Sequence, residues 1–202
     1  MTRLYAGLAA VVLAIMVGGT AVWTTLFANH DCGGNAIAGG SAAIGGPFEL
    51  LDGTGVLVTQ ADVITGPTLI YFGYTFCPDV CPFDVARNAI AVDLLDEQGL
   101  DVTPIFITID PERDTPDVVS SYAADMHPKM IGLTGNAAQV KAASQAYKTF
   151  YSKGEGEGDF YLMNHSTFTY LMFPGSGLAS YYSRDASPAD MAKETACHIE
   201  SV

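Results

Sequence analysis

Two apolar segments separated by one predicted helix constrain the fold of this chain more than any other feature. Residues 68–72 and 103–109 are almost continuously apolar and β-prone, which is typical of strands covered on both faces. Between them, aliphatic residues recur at helical spacing as far as Gly99. A strand–helix–strand unit of this kind predicts a parallel pair with a right-handed crossover.

The flanking patterns extend this unit into an α/β fold. We predict β-structure at 48–51, 56–59, 130–133, 167–173 and 179–182, and helices at Pro116–Met126, 136–147 and 188–198. The first two strands form an N-terminal β-hairpin, and the last two form another. The Gly-rich acidic segment 152–159 is predicted to be a solvated loop. This order is compatible with a thioredoxin-like mixed sheet flanked by helices.

An uncharged run at residues 4–27 predicts a membrane segment. As a helix it would rise ~1.5 Å per residue and cross a bilayer core of ~30 Å. Arg3 precedes the run, whereas His30 and Asp31 follow it, which places the N-terminus in the cytoplasm. A cleaved signal peptide is the alternative, but its apolar core is usually only ~7–15 residues long.

These features predict three regions: a single N-terminal transmembrane helix at 1–29, a flexible tether at 30–46 and a folded domain at 47–202. The chain has no long Arg-rich amphipathic presequence for mitochondrial import. We therefore expect a single-pass protein of a bacterial inner (cytoplasmic) membrane, with its C-terminal domain in the periplasm.

The charge balance excludes one class of partner. The chain has nine basic and 22 acidic residues, a formal net charge of −13. Binding to nucleic acid requires clustered Lys and Arg, so no nucleic-acid partner is expected. We expect a monomer whose acidic surface keeps it soluble.

The segment with the clearest chemistry is Tyr-Thr-Phe-Cys-Pro-Asp-Val-Cys-Pro at 74–82, where a predicted strand ends and a helix begins. Cys77 and Cys81 are four positions apart, so on a helical turn their β-carbons would lie ~5–6 Å from each other. A helix N-terminus favours the thiolate, which is the form that binds metal or attacks a disulfide. The alternatives are an inert disulfide or two buried thiols.

Other parts of the chain offer a third ligand and leave several questions open. His165, just before a predicted strand, is the candidate third ligand. Met163, or weakly Met126, His127 and Met130, are secondary candidates that packing explains better. Two sulfurs and one imidazole accommodate Cu(I) or Cu(II), and Zn(II) would also accept them. Cys32 and Cys197 are either bridged or free.

The segment at 110–116 has two interpretations. It is either a binding or partner surface near the site, or a structural loop. In the structural interpretation, which we favour, Asp114 and Thr115 cap the next helix and Arg113 pairs with a neighbouring carboxylate.

Three separated motifs, at 74–82, at 110–116 and at His165-Ser166 before a strand, resemble the Sco family, also called SenC or PrrC. These are copper chaperones of cytochrome c oxidase assembly, and the resemblance covers roughly residues 45–199. It implies a thioredoxin fold with one copper ion, Cu(I) or Cu(II), bound by Cys77, Cys81 and His165. It also implies a role in building the binuclear copper centre of oxidase subunit II.

One residue departs from the family pattern. The family commonly has Asp before the His, and this chain has Asn164. If that carboxylate orients the imidazole, its loss would change copper affinity, since such partners typically alter it by ~10–100-fold.

Two functions use the same cysteines. The first is a metallochaperone without catalytic turnover, whose partner is oxidase subunit II or another copper protein. The second is a thiol-disulfide oxidoreductase, with Cys77 and Cys81 as its redox-active pair, that reduces the cysteines of that copper site. A typical oxidoreductase carries Cys-x-x-Cys, which this chain lacks, so we expect the chaperone. A peroxidase ranks third, because such an enzyme would carry Thr three positions before its reactive cysteine, and this chain has Tyr74 there.

Overall fold

The computed structural model describes Cys32 and residues 44–158, 160–175 and 177–202. Its strands are β1 (Glu49–Leu51), β2 (Leu57–Thr59), β3 (Thr68–Gly73), β4 (Thr103–Thr108), β5 (Ile131–Leu133), β6 (Tyr151–Glu157), β7 (Phe160–His165), β8 (Thr169–Phe173) and β9 (Gly177–Tyr182). Its helices are α1 (Gln60–Val63), α2 (Val80–Asp96), α3 (Pro116–Met126), α4 (Ala137–Ala146) and α5 (Pro188–Glu200).

The predicted membrane anchor lies outside the described residues, and so does most of the predicted tether. Within the described ranges, no helix combines the length and the apolar character that a membrane crossing requires.

A five-stranded mixed sheet, ordered β5-β4-β3-β8-β9, forms the centre of the fold. Strands β3, β4 and β5 are parallel, while β8 and β9 run antiparallel to their neighbours. The predicted strand–helix–strand unit is therefore confirmed, with α2 connecting β3 to β4. The predicted N-terminal hairpin is also present, and a bridge between Leu51 and Thr134 fastens it to the domain.

Both faces of this sheet are covered, which explains why β3 is apolar at almost every position. Alternate residues of a strand point to opposite faces. Leu69 packs in an apolar cluster that includes α5 residues such as Met191, whereas Ile70 packs in a second cluster with Val119 of α3 and Val140 of α4. This arrangement of helices around a mixed sheet is the predicted thioredoxin-like α/β fold.

The prediction of a solvated loop at 152–159 is wrong. Residues Tyr151–Glu157 form β6, which pairs antiparallel with β7 in a separate two-stranded sheet. Its glycines allow the pairing: Gly156 has a φ of +139°, next to a register shift, and a β-carbon there would collide with the backbone of Phe160 and Tyr161. The glycines and acidic residues that indicated a loop thus belong to an irregular strand, and the ribbon they form carries His165.

Candidate metal centre

The two thiols lie where β3 passes into α2. Strand β3 ends at Gly73, and α2 begins at Val80, so Cys77 lies in the connecting turn and Cys81 in the first helical turn. Cys77 is 7% exposed and Cys81 is fully buried. A β-carbon at Gly73 would lie 3.2 Å from the Cys81 sulfur, which shows how closely the strand end approaches this thiol.

His165 reaches the same place from the end of β7. Its Nε2 lies 3.3 Å from the Sγ of Cys81, across 84 residues of sequence. The three donor atoms of Cys77, Cys81 and His165 all lie within 4.8 Å of one another. The edges of Tyr71 and Tyr74 flank the imidazole, with ring centroids 6.2 and 5.9 Å away. Folding therefore brings together the three residues that the sequence analysis singled out.

The hydrogen bond at the other imidazole nitrogen orients His165. Its Nδ1 lies 2.7 Å from the carbonyl oxygen of Ser166, and because a carbonyl can only accept, Nδ1 carries the proton. In the neutral ring this leaves the Nε2 lone pair facing the sulfurs, as metal coordination requires.

Asn164, the residue that departs from the family pattern, does not take this role. Its amide donates instead to the hydroxyl of Ser152 at 3.5 Å, on the exposed side of the strand. The backbone carbonyl of Ser166 provides the orientation that the family Asp was expected to supply.

The two thiols have opposite pKa shifts. The pKa of Cys77 is lowered, chiefly by the hydrogen bond from the Cys81 thiol and also by the Cys81 backbone N–H at 3.3 Å. The pKa of Cys81 is raised, chiefly because its proton is shared with Cys77 and also because it is buried. These shifts favour ionisation of Cys77 before Cys81.

A buried polar network lies behind Cys81. The Tyr71 hydroxyl donates to Asp84 at 3.0 Å, and Asp84 lies 3.6 Å from the guanidinium of Arg87. Arg87 also donates to Thr169 on β8. These residues were not predicted from the sequence, although the polar positions 84, 87 and 88 within an otherwise apolar helix pattern were a signal for them.

The segment at 110–116 is hydrogen-bonded to the turn that carries Cys77. Arg113 forms an ion pair with Asp110, as the structural interpretation predicted. Asp114 does not cap α3: its carboxylate accepts hydrogen bonds from the backbone and hydroxyl of Thr75 and from the hydroxyl of Thr108. Thr115 occupies the N-cap position of α3, but its side chain makes no capping hydrogen bond.

The remaining candidates lie apart from the donor set or pack around it. Met163 is partly buried against the apolar core. His127 is buried, with its Nε2 3.3 Å from Asp93. Cys77 and Cys81 are free thiols, whereas Cys32 and Cys197 are each disulfide-bonded.

The fold and the site together define a class: a thioredoxin-like domain that presents a Cys-Cys-His group able to hold a metal ion. The model of the SCO1/SenC family matches residues 37–200. The chain therefore belongs to the SCO1/SenC family.

Relatives from bacteria and eukaryotes agree with this assignment. Protein SenC of Rhodobacter capsulatus is 51% identical over 162 residues, which cover 80% of this chain and 73% of the relative. The mitochondrial SCO1 homolog of Homo sapiens is 37% identical over 163 residues, covering 79% of this chain and 54% of the human protein.

Two solved structures of similar proteins contain copper. Arabidopsis thaliana ScoI with copper bound has a TM-score of 0.76 at 38% identity, over 79% of this chain and all of that chain. Bradyrhizobium japonicum ScoI with copper bound has a TM-score of 0.68 at 34% identity, over 76% of this chain and 98% of that chain. Homologous proteins of known structure thus contain bound copper, and this chain has a Cys-Cys-His group that could hold a copper ion.

Proposed function

We propose that this protein is a copper metallochaperone that binds one copper ion through Cys77, Cys81 and His165 and delivers it to another protein. The observation that carries the proposal is the convergence of two sulfurs and one imidazole nitrogen within 4.8 Å. Thiolates suit Cu(I), and imidazole adds a donor for Cu(II), so this set suits either oxidation state. The copper-bound relatives support copper over zinc.

The protonation states of the ligands suit reversible binding. The lowered pKa of Cys77 eases loss of its proton, while Cys81 releases its proton to solvent as its sulfur binds the metal. With Nδ1 bonded to the Ser166 carbonyl, the neutral ring of His165 turns its Nε2 lone pair toward the sulfurs. Delivery reverses these steps: ligands of the acceptor replace the donor ligands, and Cys81 regains its proton. The exchange transfers no electrons.

We propose the binuclear copper centre of cytochrome c oxidase subunit II as the acceptor, because Sco family proteins work in the assembly of the oxidase copper centre. Large exposed aromatic side chains beside the thiols support contact with a protein: Phe76 is 57% exposed and Phe83 is 72% exposed. Phe160, on the ribbon that carries His165, is 90% exposed. Exposed apolar surface of this kind is typical of protein interaction sites.

The proposed location follows from the sequence. Residues 1–29 would anchor a monomer in a bacterial inner membrane, residues 30–46 would tether it, and residues 47–202 would act in the periplasm. The uncharged run at 4–27 supports the anchor.

A copper titration of the full-length, reduced protein in detergent tests the metal site. We expect one copper per chain for Cu(I) and for Cu(II) in the unaltered protein. His165→Ala and Cys81→Ser should each abolish stoichiometric Cu(II) binding. An unaltered protein that binds neither oxidation state would refute the chaperone function.

The alternative is a thiol-disulfide oxidoreductase, which the lowered pKa of Cys77 favours. The Cys77 thiolate would attack a disulfide of the oxidase copper site and form a mixed disulfide. The Cys81 sulfur, its proton passing to His165, would then attack Cys77 and release the acceptor as a dithiol, whose two sulfurs take one proton from His165 and one from solvent. Two electrons would leave this protein as a Cys77–Cys81 disulfide, which an external dithiol must reduce again.

The two functions differ in their dependence on His165. Reduction of a disulfide peptide by the copper-free protein would continue, more slowly, in His165→Ala, because an accessible thiolate suffices for exchange. Strong reductase activity without stoichiometric copper binding would favour the oxidoreductase.

A further inference from the structure

Arg113 lies between the two segments that carry the donor atoms. Its side chain is 10% exposed. The guanidinium carbon lies 3.7 Å from the ring centroid of Tyr161 on β7 and 4.9 Å from that of Phe76, the neighbour of Cys77. The same carbon lies 5.7 Å from the ring of Tyr74, whose edge contacts His165. The guanidinium of Arg113 thus contacts both the turn that carries Cys77 and the β6–β7 ribbon that carries His165.

Arg113 makes a hydrogen bond to the ribbon and an ion pair within the loop to which it belongs. Its NH1 donates to the carbonyl oxygen of Tyr161 at 2.9 Å, four residues before His165. Its Nε pairs with Asp110, which is 2% exposed and also accepts the Tyr161 hydroxyl at 2.7 Å. A backbone carbonyl fixed in this way cannot shift without breaking a charge-assisted hydrogen bond.

The ribbon needs such a fastening because it is not part of the central sheet. Strands β6 and β7 pair with each other and form their own two-stranded sheet. An isolated two-stranded hairpin is at best marginally stable in water. The position of His165 relative to Cys81 therefore depends on contacts between the ribbon and the rest of the domain.

We propose that Arg113 is a positioning residue for the metal centre, which holds the ribbon so that His165 stays within reach of the two sulfurs. The proposal rests on the copper function proposed above. It implies a difference between oxidation states: Cu(I) is satisfied by two thiolates, whereas Cu(II) requires the nitrogen donor. Loss of Arg113 should therefore weaken Cu(II) binding far more than Cu(I) binding.

The test compares Arg113→Ala and Arg113→Lys with the unaltered full-length protein in both oxidation states. We expect Arg113→Ala to weaken Cu(II) binding ~10–100-fold, the range typical of groups that orient a ligand, and to lose nitrogen coupling in the electron paramagnetic resonance spectrum. Cu(I) affinity, measured by chelator competition, should change only slightly. Arg113→Lys keeps the charge but lacks the planar fork, so it should resemble Arg113→Ala.

Two controls separate positioning from a general electrostatic effect. Lys153 also lies over the Tyr161 ring, at 3.6 Å, but it is 54% exposed and pairs with the exposed Glu112, so Lys153→Ala should leave both affinities nearly unchanged. In a His165→Ala background, where only weak residual Cu(II) affinity is left for chelator competition to measure, Arg113→Ala should not weaken that residual affinity further, because its action passes through the missing imidazole.

A copper-free measurement checks the ribbon itself. In Arg113→Ala, amide hydrogen exchange of residues 160–165 should accelerate, while exchange in β3 stays unchanged.

Several results would overturn the proposal. These are an unaltered Cu(II) spectrum in Arg113→Ala, equal losses of Cu(I) and Cu(II), an additive loss in the His165→Ala background, or unfolding of both Arg113 variants. If the unaltered protein binds no copper, the proposed function itself fails. If it binds copper and the variants match it, only the role of Arg113 fails.

Discussion

Cys77 and Cys81 have opposite pKa shifts although they lie one helical turn apart. Cys77 accepts hydrogen bonds from the Cys81 thiol and backbone and contacts His165, while Cys81 is buried and keeps its proton. The sequence identified both residues as metal or redox candidates, because their spacing and their place at a helix start are visible in it. It could not identify which thiol ionises first, since that depends on the folded geometry of the turn, in which Cys81 is buried and its thiol donates to Cys77.

This difference predicts an unusual pH dependence for alkylation of the reduced, copper-free protein. Because the pKa of Cys77 is lowered, its thiolate persists as the pH falls below the ordinary cysteine pKa of ~8.5. The rate constant for modification of Cys77 by iodoacetamide should therefore stay nearly constant between about pH 8 and about pH 5. Peptide mass spectrometry after timed quenching measures it.

Cys77→Ser provides the control, because of the two thiols of the site it leaves only the buried Cys81, which should react slowly throughout this range. A rate constant for Cys77 that fell in step with the proton concentration would contradict the assignment.

Asn164 yields a second prediction at the residue scale. Because its amide faces Ser152 while Ser166 orients the imidazole, Asn164→Asp should leave Cu(II) affinity almost unchanged. Competition with a calibrated chelator checks this. Tightening by ~10-fold or more would show that a carboxylate here can reach the imidazole.

Among the elements, the β6–β7 ribbon differs most from the sequence prediction. The strongly patterned elements, such as β3, β4 and α3, follow the predicted bounds closely because hydrophobic periodicity and a proline at the helix start define them locally. Strand β6 has glycines and exposed charges, so it has no such pattern. Its conformation depends on pairing with β7, which is not visible in local sequence.

The loop between β4 and α3 predicts a stability effect for Asp114→Ala. The change leaves the Thr75 N–H and the buried Thr108 hydroxyl without their acceptor. Unsatisfied buried groups cost ~1–3 kcal/mol each, so we expect the free energy of unfolding to fall by about 3 kcal/mol in urea denaturation. Asp125→Ala, on an exposed position of α3, should change it by less than ~0.5 kcal/mol.

The same carboxylate contributes a pH dependence. Burial raises the pKa of Asp114, so the folded state binds this proton more tightly than the unfolded chain does. Its stabilising contribution is thus present at acidic pH and is lost as the pH rises through the folded pKa. Asp114→Asn should remove this dependence and lose less stability than the alanine variant. Equal losses for Ala and Asn would contradict the hydrogen-bonding role.

For the whole molecule, the arrangement of aromatic surface around the thiols predicts how copper is delivered. Phe83→Ser and Phe160→Ser should slow copper transfer to the soluble domain of oxidase subunit II, because both remove exposed apolar area beside the site. Copper affinity should not change, since neither side chain is a ligand. Stopped-flow mixing of loaded donor and empty acceptor measures the rate.

Ile90→Ser is the matched control for these variants. Ile90 is also an exposed apolar residue of α2, 49% exposed, but it lies about 14 Å along the helix from Cys81. A similar slowing by all three variants would indicate a general effect of lost apolar surface rather than docking at the site.

The separation of the histidine ribbon from the central sheet has a consequence for delivery. A metal bonded to Cys81 and His165 acts as a removable crosslink that closes a long chain segment and restricts its conformational entropy. The loaded protein should therefore present a stiff ribbon and the emptied protein a looser one. An acceptor that packs on this ribbon would bind the loaded form more tightly, and the complex would weaken once the metal had moved.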